Sequence, residues 1–391
     1  MPLLFCDSFE LASDTTARWT FPGGVVVSTP GDVRTGLRAL QIGTGSAPRV
    51  RWGGLAGDSR MLISAGFGIK AGALEGVVCQ FSNLNAVGTF LLLNADGSLT
   101  VQFGSTVVGS TPAGAVPLNS YAYILLVANL TDNTDPGTYG MGFVQVYVNG
   151  VLVLDLSNLA TAPDNNYVTD FWFVGPTAAF SYVDDLFLWG NALPVAYLVP
   201  ISIFAILPIS DTTVLPPPDG PPVYGPDIGG GFYFDSVETP LTPASPQFSL
   251  VNSPTPDPLV GLACQYTGCH AAGGYGYSDF GFDFSGLPVG LDPLSVVGCA
   301  TLAYQIDLAP AFGSVQHLDV EIYAQDSVTY ASQSAGPPVM VAGMTEPDYN
   351  GVSMTWLDSQ YADVNPLTGN PWLAADLAII GGPFIHWSAP T

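Results

Sequence analysis

Thirteen consecutive residues of this 391-residue chain, Phe143-Val-Gln-Val-Tyr-Val-Asn149-Gly150-Val-Leu-Val-Leu-Asp155, constrain its fold more than any other stretch. Asn-Gly supplies the two positive-φ positions of a type I′ turn, and the flanking runs are rich in β-formers, so the segment must close into a hairpin. A second hairpin is expected at Leu91-Leu-Leu-Asn-Ala-Asp96-Gly97-Ser-Leu-Thr-Val101. Around these, residues 61–69, 77–81, 89–93, 99–103, 120–128, 142–148, 151–155, 167–174 and 181–188 are short apolar or alternating runs. Turn residues separate most of them at the spacing of a sandwich. The segment from Met1 to Gly190 holds no amphipathic stretch of helical length. The 45 Gly and 34 Pro are scattered between apolar runs, which is turn punctuation and not low complexity. Aromatic residues make up 12% of the chain, which argues for a packed core and against acidic disorder.

The organisation changes near residue 191. Leu193–Ile209 is almost wholly apolar, but Pro194, Pro200 and Pro208 interrupt it, against the unbroken helix of about 20 residues that a membrane span needs. The expectation is a buried or interface strand at Ile201–Leu207. Residues 212–231 then carry six prolines and five glycines, a stiff polyproline-type segment ending in a glycine hinge. Strand signals return at Val296–Tyr304, Leu318–Ala324, Val339–Ala342 and Val352–Trp356, and a short helix is expected near Trp372 after the Pro371 start signal. The simplest description is all-β: a sandwich domain over 1–190, an apolar strand and Pro/Gly-rich connector over 191–231, and a second β-sandwich over 232–391.

Charge is distributed unevenly. All seven cations lie between Met1 and Lys70, where they outnumber the acids; everything after Lys70 lacks Lys and Arg and holds most of the 32 acids. Such a field repels polyanions and excludes nucleic-acid and anionic-membrane partners for most of the surface. The basic residues Arg34, Arg38, Arg49, Arg51 and Arg60, together with Trp52, are candidates for docking on an acidic partner, since Arg beside an aromatic is a common interface composition. The alternative is that they pair with local acids, each surface pair contributing about 0–1 kcal/mol. Five irregularly spaced cysteines do not make a disulfide framework, and the N-terminus lacks the basic region and apolar core of a signal peptide. Both point to folding in a reducing cytosol.

Catalytic patterns are thin. Glycoside hydrolysis needs two carboxylates facing one sugar bond. The nearest acid-bearing strand, Asp319-Val-Glu321-Ile-Tyr-Ala-Gln-Asp326, has the wrong order and reads as an amphipathic strand with solvent-facing acids. Asp184 and Asp185 are adjacent, so strand alternation is expected to send them to opposite faces, where they cannot act as a pair. The three histidines are far apart, and no nucleophile elbow is present. Cys264, Cys269 and His270 lack the second paired motif of a zinc site. Asp132 and Asp135 sit in an oxygen-rich loop of the kind calcium takes, although Asp and Asn in loops usually serve turns. The expectation is a protein with no enzymatic activity and no required cofactor.

Several pieces are similar to one family. They are the opening Phe5-Cys-Asp-Ser-Phe-Glu10, Gly36-Leu-Arg-Ala-Leu-Gln-Ile42, the Asp96-Gly97 hairpin, Val146-Tyr-Val-Asn-Gly150, Tyr182-Val-Asp-Asp-Leu-Phe-Leu188 and Asn365-Pro-Leu-Thr-Gly-Asn-Pro-Trp372. Together they resemble tailed-bacteriophage virion proteins in which a concanavalin A-like (laminin-G-like) jelly roll is followed by a second sandwich. Tyr121 or Tyr123 stands where a tryptophan usually precedes the long central strand. The resemblance implies a virion component made in the host cytoplasm, with other virion proteins as partners. Exposed apolar strands with few charges imply a homo-oligomer. The alternative function is a carbohydrate-binding adhesin that contacts host glycans, because fold alone does not separate the two.

Overall fold

The computed structural model describes residues 3–9, 19, 29–30, 32–43, 45–51, 60–72, 76–83, 86–131, 142–159, 170–174, 181–190, 192–204 and 208–211. Further along it describes 233–236, 262–265, 275–278, 280–282, 287, 292–293, 299–307, 317–325, 330–334, 340–349, 352–362, 365 and 367–388. Two compact units divide the chain: Met1–Ala205 with Val341–Met344, and Ile206–Met340 with Thr345–Thr391. Among the described residues the fold is all-β, built on β-sandwich lines.

In chain order the first unit contains β1 (Leu3–Asp7), β2 (Thr29–Pro30), β3 (Arg38–Ile42), β4 (Arg49–Arg51), β5 (Arg60–Ala71), β6 (Gly76–Asn83) and β7 (Ala86–Leu93). They are followed by β8 (Leu99–Phe103), β9 (Thr106–Ser110), β10 (Tyr121–Thr131), β11 (Gly142–Val148), β12 (Val151–Leu159), β13 (Asp170–Phe173) and β14 (Ser181–Gly190). One sheet has the order β12-β11-β10-β5-β14-β3-β2, with β1 also on β14; the other runs β4-β13-β6-β7-β8-β9. Both expected hairpins form. Val148 pairs with Val151, leaving Asn149 and Gly150 as a two-residue loop at φ 51° and 81°. The Asn149 amide extends the ladder by donating to the Tyr123 carbonyl at 2.8 Å, and its side-chain oxygen accepts from the Tyr123 N–H at 2.8 Å. At the other hairpin Gly97 has φ 78° and donates to Asn94 at 2.9 Å.

Alternation puts one face of each sheet into a shared core. Ala122, Ile124, Leu126, Ala128 and Leu130 of β10 join Ile63, Ala65, Phe67 and Ile69 of β5, against Leu91, Leu99, Val101, Phe171 and Phe173 of the other sheet. Burying each large side chain contributes about 1.5–3 kcal/mol. Aromatic contacts knit the centre: Phe171–Phe173 and Phe67–Phe173 meet edge-to-face at 4.9 and 5.0 Å, and Trp19 stacks on Phe173 at 5.8 Å. The indole N–H of Trp19 is satisfied by Asp7, 2.9 Å away, so that ring is buried without a lost hydrogen bond.

Two expectations fail in this unit. The register of β14 on β5 steps from Asp184 opposite Gly68 to Phe187 opposite Gly66, so Asp185 and Leu186 together face one residue, Phe67. This is a β-bulge, and Asp185 sits in it at φ 52°. The bulge breaks the alternation that was expected to send Asp184 and Asp185 to opposite faces. The strand expected at Ile201–Leu207 is also absent from its described part: Val195–Tyr197 is a 3-10 turn, and 198–204 is irregular chain. Pro194 and Pro200 lack an N–H for a ladder, and nearby side chains take up the Ile201 carbonyl and the Ile203 N–H. No helix among the described residues is long and apolar enough to cross a membrane.

The second unit contains β15 (Pro208–Asp211), β16 (Tyr233–Ser236), β17 (Leu262–Gln265), β18 (Tyr275–Ser278), β19 (Phe280–Phe282) and β20 (Cys299–Asp307). It continues with β21 (His317–Gln325), β22 (Tyr330–Ser334), β23 (Met340–Tyr349, of which Val341–Met344 is assigned to the first unit), β24 (Val352–Ala362) and β25 (Ile380–Ser388). A four-stranded sheet runs β18-β25-β21-β22 and a three-stranded one β20-β24-β23; β15 pairs with β19, and β16 with β17. The helix expected near Trp372 is a 3-10 segment, Ala374–Ile379, entered through a bond from the Leu373 N–H to Asp376 at 3.0 Å. Before it, Asn365–Trp372 closes on itself. The Asn365 side chain accepts from the Leu367 N–H, its carbonyl accepts from Gly369 at φ 69°, and Trp372 is buried.

Candidate functional site

The outer face of the larger sheet carries the chemistry of the first unit. Residues of β5, β10 and β14 that point away from the core lie there in register. Tyr121, Lys70, Tyr182 and Gln41 form one row across four strands, and Tyr123, Gly68 and Asp184 form the next. The middle of this face is covered by the chain that leaves β14. Tyr197 packs on Phe187 and Trp189, with ring centroids 6.4 and 5.3 Å apart. Pro200 lies beside the hairpin turn, 3.3 Å from where a Cβ on Gly150 would stand. Two glycines of β5 make room for what crosses them: a Cβ on Gly66 would fall 2.1 Å from Phe187, and one on Gly68 would fall 2.5 Å from the Arg34 side chain.

Arg34 fills the gap over Gly68 and organises a buried charge cluster. Its guanidinium stacks over the Tyr123 ring at 4.7 Å and donates through Nη1 to both the Asp185 carboxylate and the Ile201 carbonyl. The N–H groups of Arg34 and Thr35 donate to Asp184 at 2.8 and 3.0 Å. The Thr35 hydroxyl and the Ile203 N–H both donate to Asp185, each at 2.7 Å. Both carboxylates are fully buried. The bulge is what allows this: it turns two adjacent acids onto one turn, Arg34–Thr35, and onto the crossing segment.

The electrostatics follow from the burial. Loss of water pushes the Asp184 carboxyl up to about 7; the neighbouring Asp185 charge adds to this, and the three backbone N–H bonds from Thr35, Arg34 and Asp185 oppose it. Burial likewise raises Asp185, against the bonds from Ile203, Thr35 and Arg34. A carboxyl held near neutrality resembles a general acid in its titration. Here it accepts from the backbone N–H groups of Arg34, Thr35 and Asp185, beside the Arg34–Asp185 pair that braces the crossing chain.

The rim row differs. Lys70 stands between Tyr121 and Tyr182 and pairs with Asp32; their side chains remain 27% and 37% exposed. The Tyr121 hydroxyl donates to the Asp32 carbonyl at 2.7 Å, and the Lys70 ammonium sits 5.9 Å from the centre of the Tyr182 ring. The bond from Lys70 lowers the Asp32 carboxyl, and burial raises the Tyr182 hydroxyl.

The remaining sequence candidates scatter. Arg49 lies on the outer face of the smaller sheet, 3.7 Å from buried Asp170, with its guanidinium over the ring of Trp172 at 4.8 Å. The aromatic beside it is therefore Trp172, and Trp52 lies outside the described residues. Arg51 is the register partner of Asp170, Arg38 begins β3, and Arg60 begins β5 as the partner of Thr131. Arg34, Arg49 and Lys70 thus all meet acids of their own domain. The calcium candidates Asp132 and Asp135 lie outside the described residues, as do Cys269 and His270. Among the described residues no three metal-ligating side chains cluster. Strand pairing brings together what the sequence kept apart: His386 pairs with Asp319, two positions along β21 from His317. The sequence singled out Arg34 and set Asp184 and Asp185 aside as a pair on opposite faces; the only sign of their bulge was an acid doublet interrupting an apolar alternation.

No protein-family model and no curated protein sequence matches the chain. Solved structures are similar at low identity. Domain 4 of AbnA, a GH43 extracellular arabinanase from Geobacillus stearothermophilus, in complex with arabinotriose, is 18% identical, with a TM-score of 0.37 over 50% of this chain and 96% of that one. The binding domain of Paraclostridial Mosquitocidal Protein 1 is 14% identical, with a TM-score of 0.36 over 50% of this chain and 51% of that one. The Botulinum Neurotoxin Type G receptor-binding domain is 13% identical, with a TM-score of 0.32 over 46% of this chain and 45% of that one.

Proposed function

We propose that the chain is a non-enzymatic structural component of a phage virion, a tail, fibre-type or capsid-decorating protein whose acidic body faces outward. The observation that carries this reading is the Arg34–Asp184–Asp185 cluster. It binds the chain leaving the jelly roll to the jelly roll's own sheet, so the start of the connector is part of a braced scaffold. Its carboxylates are committed to that task. The motifs from Phe5 to Trp372 supply the virion context. Partners are other virion proteins and further copies of this chain, for which the edge strand β12 offers exposed Val151 and Leu152. The test is to purify particles and locate the chain by mass spectrometry and gold-labelled antibody. Labelling at a fixed place on the particle is expected, and absence from purified particles sinks the reading.

A second reading, adhesion to host glycans, is favoured by one observation: Tyr121, Lys70 and Tyr182 form a partly exposed aromatic and polar row beside the covered middle of that face. Screening soluble protein on immobilised glycans tests it. Saturable binding supports adhesion, and silence leaves the structural role alone.

A further inference from the structure

We infer that the Tyr121–Lys70–Tyr182 row with Asp32 and Gln41 is a binding site for a neutral glycan; the inference rests on the adhesive reading above and specifies its site and ligand class. Tyr121 and Tyr182 are the register partners of Lys70 on either side, so two phenol side chains stand about 10 Å apart, two strand spacings, across one ammonium. Rings so spaced offer apolar surface to the C–H faces of a sugar chain lying across the strands. Between and beside them stand the groups that hydroxyls need. Lys70 brings donors only, the Asp32 carboxylate brings acceptors only, and the amide of Gln41, next to Tyr182 in register, brings both. The site is built and not incidental: the Tyr121 hydroxyl is tied to the Asp32 backbone and Lys70 to the Asp32 side chain, so the turn holding Asp32 is fixed over the strands. Pre-fixed polar groups on an aromatic floor are what small-ligand sites use for orientation.

Charge selects among glycans. Lys70 is already neutralised by Asp32, and the chain as a whole carries a net charge of −25. A sialic or uronic acid would meet that repulsion with the row's own cation already committed, whereas a neutral sugar loses nothing. Lys70 is also the last cation of the sequence, so this row is the end of the chain's only zone of mixed charge.

The test uses the full chain on an array of neutral hexose and pentose oligosaccharides with sialylated and uronate counterparts, followed by titration with the best neutral oligosaccharide. Wild type is expected to bind neutral members and to bind their acidic counterparts more weakly. Tyr182→Ala and Lys70→Gln are expected to weaken binding by about tenfold or more, and Tyr182→Phe, which keeps the ring, to bind within a few-fold of wild type. Thermal unfolding of each variant separates lost binding from lost fold. Glycan binding by wild type that survives in folded Tyr182→Ala and Lys70→Gln overturns this site and leaves adhesion standing. Preference for acidic glycans overturns the ligand class. Absence of any binding by wild type overturns adhesion itself.

Discussion

Arg34 reaches Asp185 across 151 residues of sequence, and the same guanidinium nitrogen holds the Ile201 carbonyl. One side chain therefore ties three distant segments: the turn before β3, the bulge of β14 and the chain that leaves the domain. Removing it should leave the buried Asp185 carboxylate without its cation, while the backbone N–H at position 34 still serves Asp184. Arg34→Met is expected to destabilise the first domain by about 3–5 kcal/mol, the usual result of breaking a buried pair from one side. Arg34→Lys should recover only part of that, because an ammonium can donate to Asp185 and Ile201 but cannot lay a flat guanidinium over the Tyr123 ring. Urea titration followed by tryptophan fluorescence measures both; a loss below about 1 kcal/mol for Arg34→Met, the range of an exposed pair, contradicts the assignment.

The same cluster gives stability a pH dependence of defined sign. Asp184 titrates near 7 in the folded state, above its ordinary value of 3.8, so the folded state binds its proton more tightly than the unfolded chain does. The stabilisation is fully present below about pH 4 and is lost as pH rises through about 7. Asp184→Asn, which keeps shape without the charge, should flatten the slope between pH 5 and 8. Denaturant midpoints at several pH values read this out. Parallel slopes for wild type and variant would show that Asp184 does not titrate in that window.

Gly66 is a packing requirement of the covered face. A methyl group there would stand 2.1 Å from the Phe187 ring and 2.6 Å from the Tyr123 hydroxyl, both buried. Gly66→Ala should cost about 1–3 kcal/mol, as overpacking does. By contrast Gly104→Ala, where nothing lies within 4 Å, should show only the penalty of its φ of 58°, about 1 kcal/mol. Thermal unfolding of the two variants side by side checks the difference, and equal losses would argue against crowding at Gly66.

How far the sequence foretold this depends on whether the signal was local. Asn149-Gly150 and the alternating runs of β5, β10 and β11 were legible because turn chemistry and period-2 patterning act within a few residues. The β14 bulge was not, because one extra residue resets the alternation and Asp185 tolerates the positive φ that it requires. The segment 201–204 misled for a related reason. Its apolar residues read as strand, yet its backbone bonds go to Arg34 and Asp185, partners about 167 and 18 residues away that no window contains. The charge imbalance was visible at once, but its use inside the domain, with Arg34 on Asp185, Arg49 on Asp170 and Lys70 on Asp32, required the fold.

The confinement of every Lys and Arg to the segment ending at Lys70 also makes trypsin a reporter of one sheet. Lys70 is the last basic residue, so complete digestion of the unfolded chain must release Ala71–Thr391 as a single fragment. In the native protein that bond is at the end of β5, where Lys70 pairs with Tyr121 on one side and Tyr182 on the other. A strand held from both sides does not fit a protease cleft, so cutting after Lys70 requires the sheet to open. The fragment should appear slowly from native protein, and faster from Arg34→Met in proportion to its lost stability, provided that opening and reclosing are fast relative to cleavage. Intact-mass measurement over a digestion time course follows it. Equal rates for native and urea-unfolded protein would mean that Lys70 is not in a paired strand.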